Sequence, residues 1–122
     1  MSKILIVDDS ALSRRMLRTI LEGAGHTVVE AEDGLSGLER FTLDRPDLTL
    51  LDLTMSGMHG FEVLEKLREM DPEAKVIVAT ADIQKSTHDM AAARGGQGFI
   101  QKPFVADNVL EAINNVLKGD SA

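Results

Sequence analysis

The stretch LTLLDLTMSGMHG, residues 48–60, joins a short apolar run to a single acid and then to small and flexible residues. Leucines at 48, 50 and 51 are typical of a parallel strand that is buried on both faces. The run ends on Asp52, and glycines follow at 57 and 60. An acid between a buried strand and a flexible turn predicts a functional loop at the end of that strand.

Four more apolar runs alternate with helix-like stretches along the chain. The five runs occupy residues 3–8, 27–31, 48–52, 75–80 and 98–102. The first, third and fourth are almost continuously apolar and predict central strands, whereas the weaker second and fifth predict edge strands. Because strands that alternate with helices are joined by right-handed crossovers, the sequence predicts a doubly wound α/β fold with five parallel strands and helices on both faces.

The first two intervening segments have helical spacing and polar caps. Ser10 and Asp33 are the expected N-caps, and Gly25 is the expected end of the first helix. The inward-facing residues are predicted to be Leu12, Met16, Leu17, Ile20, Leu21 and Ala24 in the first helix, and Leu35, Leu38 and Phe41 in the second. Arg14, Arg15 and Arg18 are predicted to form a solvated face of the first helix.

The remaining three helical segments differ in apolar content. The third predicts a buried stripe of Val63, Leu64, Leu67 and Met70, and the fifth one of Val109, Leu110, Ala112, Ile113, Val116 and Leu117. Asp71 and Pro72 end the third helix, while Val105 is a poor cap for the fifth. Residues 84–96 contain Met90 and a run of alanines, which predicts a weakly docked, mobile fourth helix.

Composition excludes several classes of function. A chain of 122 residues with 43% hydrophobic and 27% charged residues is one domain's worth, here residues 1–122. The net charge of -7 opposes nucleic-acid binding, and the absence of cysteine excludes disulfides and thiolate chemistry. We found neither an apolar run long enough to span a bilayer nor a signal peptide, so we expect a cytoplasmic protein without membrane insertion.

Polar residues stand at four of the predicted strand ends. Asp8 and Asp9 follow the first strand, Asp52 ends the third, Thr80 ends the fourth and Lys102 ends the fifth. Carboxyl ends of parallel strands meet at one edge of the sheet, where ligands bind. Three carboxylates there repel by about 4 kcal/mol per pair at 4 Å and an effective dielectric constant near 20. Either one acid is protonated, or Lys102 offsets part of the charge, or a hard cation lies among the oxygens.

An incomplete set of oxygen ligands suits Mg²⁺, or Mn²⁺, which retains water and accepts a phosphate oxygen. With the hydroxyl of Thr80 and the ammonium of Lys102 facing it, Asp52 is in a setting suited to phosphoryl transfer. A carboxylate is already ionised at pH 7 and needs no general base, so Asp52 is the predicted nucleophile.

Five motifs carry a family resemblance. VDDS, AEDG, LLDLTMSGMHG, VIVATA and FIQKPF are distributed over all five strand–helix units. With them the chain resembles the receiver domain of two-component response regulators, particularly the stand-alone chemotaxis type. The resemblance implies a flavodoxin-like fold with strand order 2-1-3-4-5. It also implies a signalling switch rather than an enzyme, although one that promotes its own phosphorylation and autodephosphorylation.

By this resemblance, Asp52 takes a phosphoryl group from a histidine kinase or a phosphotransfer protein, and a downstream target protein reads the result. The resemblance also assigns a metal-binding role to four residues. Asp9 binds Mg²⁺ directly and Asp8 through water, with Asp52 and the backbone carbonyl of Thr54 as further ligands. A monomer or a weak dimer is expected.

The resemblance assigns switching roles to residues near the end of the sheet. Thr80 and Lys102 contact the phosphoryl oxygens, Phe99 turns inward when Thr80 moves, and Pro103 follows a cis peptide bond. Thr54 and Asp82 match the positions that tune autodephosphorylation.

Two departures from the family pattern concern the loops rather than the chemical groups. Ser56 stands where proline is usual, and Gly95 with Gly96 replaces a Gly-Ala pair.

Three alternatives remain open. A magnesium-dependent aspartyl-phosphate phosphatase of the haloacid dehalogenase type has a second acid two residues after the nucleophile, where this chain has Thr54. A flavin carrier needs a phosphate loop after the first strand, where DDSALS would repel phosphate. A partner-binding pseudo-receiver that is never phosphorylated is weakened by the presence of every site residue. The histidines at 26, 59 and 88 have no ligand spacing and are interpreted as surface residues.

Overall fold

Five strands and five helices alternate along the chain in the computed structural model, which describes residues 2–53, 59–81 and 84–118. The strands are β1 (Lys3–Val7), β2 (Thr27–Ala31), β3 (Leu48–Asp52), β4 (Val76–Thr80) and β5 (Gly98–Gln101). The helices are α1 (Ala11–Gly23), α2 (Gly34–Asp44), α3 (Gly60–Met70), α4 (Lys85–Ala93) and α5 (Ala106–Leu117). Each predicted strand is present, with its ends within one residue of the predicted ones.

The strands form one parallel sheet in the order β2-β1-β3-β4-β5. All five residues of β3 and of β4 are buried, as are the last four of β1. β2 and β5 lie at the edges and are only partly buried. The predicted strand order, the central strands and the edge strands are all confirmed.

Apolar side chains cover the sheet on both faces. The first apolar cluster, under α1 and α5, contains Ile4, Ile6, Leu17, Leu21, Val28, Leu48, Leu50, Ile77, Ala79, Ile100, Phe104, Val109, Ile113 and Val116. The second apolar cluster, under the other three helices, contains Leu5, Val7, Ala31, Leu51, Leu53, Val63, Leu64, Leu67, Ala74, Val76, Val78 and Ala91. The doubly wound architecture follows because alternate residues of each strand face opposite clusters.

Two of the helix starts have the predicted polar caps. The side chain of Ser10 accepts a hydrogen bond from the Ser13 amide, and that of Asp33 accepts one from the Ser36 amide. Val105 provides no side-chain cap for α5, as expected. The peptide bond between Lys102 and Pro103 is cis, as the resemblance implied.

Five residues predicted to face inward are exposed instead. Leu12 is 66% exposed, Met16 37%, Leu35 70% and Met70 46%. Ala24, directly after the last residue of α1, is exposed as well. Leu12 and Leu35 lie in the first turns of their helices, and Met70 lies in the last turn of its helix. Helical spacing defines the direction of an apolar stripe but not how far the sheet covers that stripe, so it overpredicts burial in these helices.

The solvated face predicted for the arginines of α1 is only partly confirmed. Arg15 is exposed, whereas the Arg14 side chain is only 15% exposed and bonds to β2. The prediction is wrong for Arg14, because its acidic partner, Glu30, lies 16 residues away in the chain and helical spacing does not reveal such a partner.

The fourth helix is as thinly packed as its composition predicts. Within α4, Ala91 is the one buried residue. Its mobility stays a prediction. Across the described ranges, no helix combines the length and apolar character needed to cross a membrane.

Candidate functional site

Three adjacent strands end on buried polar residues at the same edge of the sheet. Asp8 directly follows β1, Asp52 is the last residue of β3 and Thr80 is the last residue of β4. Their exposed fractions are 1%, 2% and 2%. Burial of polar groups is costly unless they are paired, so a cluster of this kind marks a site rather than a part of the core.

Lys102 reaches this cluster from the end of β5. Its Nζ lies 3.1 Å from Oδ2 of Asp8 and 3.3 Å from Oδ2 of Asp52. The Lys102 amide donates to the Thr80 carbonyl at 3.0 Å, which ties the turn to β4. The ring of Phe104 lies 5.9 Å from Nζ. One ammonium therefore serves two buried carboxylates.

The electrostatics of the cluster reflect this imbalance. Burial raises the pKa of Asp8, the Ser10 amide opposes the rise, the negative charge of Asp52 adds to it and Lys102 counteracts it, with a raised pKa as the net result. Burial alone would lower the pKa of Lys102, but the charges of Asp52 and Asp8 outweigh burial and raise it. Lys102 is thus held in its charged form, and more positive charge would stabilise the carboxylates.

The oxygen atoms of the cluster suit a divalent cation. One carboxylate oxygen each from Asp8, Asp9 and Asp52 lies within 4.8 Å of the other two. Oδ2 of Asp8 is buried and accepts no well-formed hydrogen bond from the part of the chain that the structure describes, although Lys102 faces it. Asp9 is exposed, so water can complete the coordination. Hard oxygen donors with open positions fit Mg²⁺ or Mn²⁺.

The turn between β1 and α1 is held by several hydrogen bonds. Oδ1 of Asp8 accepts from the Ser10 amide at 2.9 Å, and the Asp8 amide donates to the Ala31 carbonyl at 3.1 Å. Nη1 of Arg14 donates to the Asp8 carbonyl at 2.6 Å. Sequence reasoning missed Arg14, since helical spacing assigns it to solvent and nothing in the pattern connects it to Glu30.

Phe99, three residues before Lys102 in the chain, has an aromatic neighbour that sequence reasoning also missed. Phe99 is half-buried in β5, opposite Val78 of β4, and packs against the second apolar cluster. The ring of His88 stacks on it with the centroids 4.4 Å apart and 13° between the planes. The sequence predicts a plain surface residue at position 88, but His88 is half-buried and contacts the predicted switch residue.

Three of the positions singled out in the sequence, Thr54, Ser56 and Asp82, lie outside the described residues. The metal-ligand role of the Thr54 carbonyl therefore stays a prediction. Gly95, which together with Gly96 forms the departure near β5, has φ 103°, a backbone conformation that glycine adopts without strain.

Comparison with known proteins identifies relatives over nearly the whole chain. The sequence model of the response regulator receiver domain matches residues 4–114. The chemotaxis protein CheY of Bacillus subtilis (strain 168) is 43% identical over 116 residues, which cover 94% of this chain and 97% of that protein. The sporulation initiation phosphotransferase F of the same organism is 34% identical, covering 94% of this chain and 93% of that protein.

A solved structure agrees with these relatives. The chemotaxis protein CheY4 of Vibrio cholerae superimposes with a TM-score of 0.91 at 30% identity, and the match covers 95% of this chain and 98% of that one. The flavodoxin-like fold is confirmed. The same matches support two-component signalling and favour the receiver interpretation over the phosphatase and flavin-carrier alternatives.

Proposed function

Because the chain belongs to the response regulator receiver family, we propose that it is a phosphorylation-dependent switch whose phosphoacceptor is Asp52. The observation that carries this proposal is the position of Asp52, buried at the end of β3 with its Oδ2 at 3.3 Å from the Lys102 ammonium. A receiver of this kind is a signalling domain rather than a classical enzyme, and residues 1–122 form one such domain.

The chemistry we propose is a single phosphoryl transfer. A carboxylate oxygen of Asp52 attacks phosphorus of a phosphohistidine on a histidine kinase or a phosphotransfer protein. The new O–P bond forms as the P–N bond breaks, and the imidazole leaves with the electron pair and takes up a proton. Lys102 turns from the carboxylates to the phosphoryl oxygens, and the Thr80 hydroxyl donates to another of them.

A divalent cation is the second element of the proposed site. Asp8, Asp9 and Asp52 would hold Mg²⁺ or Mn²⁺, with the Thr54 carbonyl as a further proposed ligand. The bound ion would neutralise charge on the phosphoryl oxygens. The acidic cluster and the buried Oδ2 of Asp8 support this assignment.

Phosphorylation would be communicated through the neighbouring half of the sheet. When Thr80 moves toward the phosphoryl group, it leaves room for Phe99 to turn inward, and the surface formed by α4, β5 and α5 changes. A downstream target protein then binds the altered surface, and the switch works in the cytoplasm as a monomer or a weak dimer. The sparse packing of α4 supports a second arrangement that lies close in free energy.

Incubation with acetyl phosphate or phosphoramidate in the presence of Mg²⁺, followed by intact mass measurement, tests the phosphoacceptor. We expect the mass of one phosphoryl group on the wild-type chain and none on Asp52→Asn. Glu39→Gln, an exposed acid on α2, is the matched control and should be phosphorylated like the wild type. Equal phosphorylation of Asp52→Asn would contradict the assignment.

Two further outcomes separate the alternatives. A folded wild-type chain that binds Mg²⁺ but gains no phosphoryl mass would be a pseudo-receiver. Repeated turnover of small phosphate esters would instead support the phosphatase.

We also propose that Asp82 orients the water that hydrolyses the aspartyl phosphate and that Thr54 tunes this hydrolysis. Asp82→Ala should therefore slow the decay of the aspartyl phosphate, as followed by intact mass.

A further inference from the structure

Arg14 joins the turn that carries Asp8 and Asp9 to the edge strand β2. Its Nη1 donates to the backbone carbonyl of Asp8 at 2.6 Å, and its Nε donates to Oε1 of Glu30 at 3.0 Å. The side chain is 15% exposed, since it lies between α1 and β2. A guanidinium presents its donors as a rigid fork, so both hydrogen bonds are satisfied together only for a narrow range of carbonyl positions.

The carbonyl that Arg14 holds belongs to the peptide group between Asp8 and Asp9. Because a peptide group is planar, fixing its carbonyl also fixes the direction of the Asp9 amide and the path of the chain at Asp9. Asp8 is additionally held by the Ala31 carbonyl and the Ser10 amide. Asp9 is exposed, so burial does not orient it. The contact from Arg14 therefore constrains the backbone at a residue whose side chain is not packed in the core.

Arg18, one turn further along α1, provides a natural comparison. Its Nε donates to Oε2 of Glu30 at 2.5 Å, and its Nη1 donates to Oε2 of Glu22 at 2.9 Å. Both arginines thus pair with Glu30, whereas the hydrogen bond to the Asp8 carbonyl comes from Arg14. Burial alone would raise the pKa of Glu30, but the two arginines outweigh it and lower that pKa, so Glu30 remains ionised at neutral pH.

We propose that Arg14 is a positioning residue for the phosphorylation site. By bridging the Asp8 carbonyl and the Glu30 carboxylate, it holds the β1–α1 turn in the arrangement in which Asp8 and Asp9 bind the divalent cation. The inference rests on the proposed function, because that function supplies the metal-binding role of the two acids. The proposal adds Arg14, which lies outside the acidic cluster and acts on it through the backbone at Asp8.

Arg14→Met and Arg18→Met form the matched pair that tests this role. Each removes an ion pair to Glu30 and one further hydrogen bond, so both should lower the thermal unfolding midpoint by similar amounts. Arg14→Met should weaken Mg²⁺ binding about tenfold in a calorimetric titration, as loss of supporting contacts around metal ligands typically does. Arg18→Met should stay within about twofold of the wild type. In the metal-free protein, the Ser10 amide should exchange hydrogen faster in Arg14→Met than in Arg18→Met.

A milder variant guards against loss of the fold. Arg14→Lys retains the charge but replaces the fork with a single ammonium, so Mg²⁺ binding should remain at least about threefold weaker than in the wild type. Full recovery with lysine, or equal weakening in the two methionine variants, would overturn the inference. A wild-type chain that neither binds Mg²⁺ nor accepts a phosphoryl group would instead show that the proposed function itself is wrong.

Discussion

Helices α3 and α4 both pack against the second apolar cluster, yet they are attached to it very differently. α3 buries Val63, Leu64 and Leu67 completely, whereas α4 buries Ala91. Burial of one large aliphatic side chain contributes about 1.5–3 kcal/mol, far more than a single alanine methyl. α3 is therefore an integral part of the core, while α4 lies on it with little apolar area.

Contacts at the periphery of α4 replace some of the missing core. Nε of Arg94 lies 2.8 Å from Oε1 of Glu65 on α3, and its guanidinium lies 5.2 Å from the ring centroid of Phe61. His88 stacks on Phe99. Surface ion pairs of this kind contribute only about 0.2–1 kcal/mol. The proposed site thus combines acids on tightly packed strands with a neighbouring helix that is held by weak, separable contacts.

The largest expected effect comes from the core side of this comparison. Leu64→Ala should lower the free energy of unfolding by about 2–5 kcal/mol, because it leaves a cavity beneath α3. Leu43→Ala, at a position 64% exposed on α2, should change it by less than about 0.5 kcal/mol. Urea denaturation with unchanged m-values measures both. A cost for Leu64→Ala below about 1 kcal/mol would mean that α3 is no better anchored than α4.

Two glycines, one at the start of α3 and one after the end of α4, extend the comparison. A Cβ on Gly60 at the start of α3 would overlap the Leu53 Cα and lie 2.8 Å from the Asp52 carbonyl oxygen. On Gly96, after α4, it would lie 3.1 Å from the Ala91 carbonyl oxygen and from Cγ2 of Val78. Gly60→Ala should therefore cost about 1–3 kcal/mol, since backbone must shift, and Gly96→Ala less.

Gly23→Ala is the control for these glycine substitutions. A Cβ at this position in α1 would meet nothing within 4 Å, so the variant should gain about 0.5–1 kcal/mol from helix propensity. Chemical denaturation of the three variants gives the order. If Gly96→Ala lowered the free energy of unfolding more than Gly60→Ala, the surroundings of α4 would be more tightly packed than those of α3.

Sequence reasoning predicts the buried strands and the residues at their ends better than the contacts at the periphery of α4. Continuous apolar runs predict β1, β3 and β4 correctly because a strand buried on both faces permits few polar residues. The position of acids at strand ends likewise follows from the parallel sheet, so the closeness of Asp8, Asp52 and Lys102 was predictable. Their chemical roles stay predictions until phosphorylation is measured.

What the sequence could not reveal depends on tertiary contacts. Periodicity defines a stripe but not where the sheet beneath it ends, so Leu12 and Leu35 were wrongly predicted to face inward. Arg14 and Glu30 are 16 residues apart, and His88 meets Phe99 only once α4 lies against β5. No local pattern relates such pairs, because their partners are chosen by the packing of separate elements.

Ala91→Gly addresses the small apolar anchor of α4 directly. It should lower the free energy of unfolding by about 1–2 kcal/mol, of which about 1 kcal/mol is helix propensity. Ala92→Gly, at an exposed position in the same helix, carries the propensity cost alone. The difference between the two variants, from urea denaturation, gives the contribution of the buried methyl group. A difference above about 2 kcal/mol would show that α4 is anchored as firmly as α3.

Arg94→Met should have the smallest effect on global stability, and its effect should be confined to α4. It removes the contacts to Glu65 and Phe61, so we expect a loss of about 0.5–1 kcal/mol in the free energy of opening of α4, read from native-state amide exchange. Lys85→Met is the matched control, because it removes an ion pair to Asp89 that lies within α4. Faster exchange across α4 in Arg94→Met alone, with α3 amides unaffected, would identify the link to α3 as what limits opening. Equal acceleration in both variants would mean that α4 opens by losing its own helical structure, and the contrast between the two helices would then be one of propensity rather than of docking.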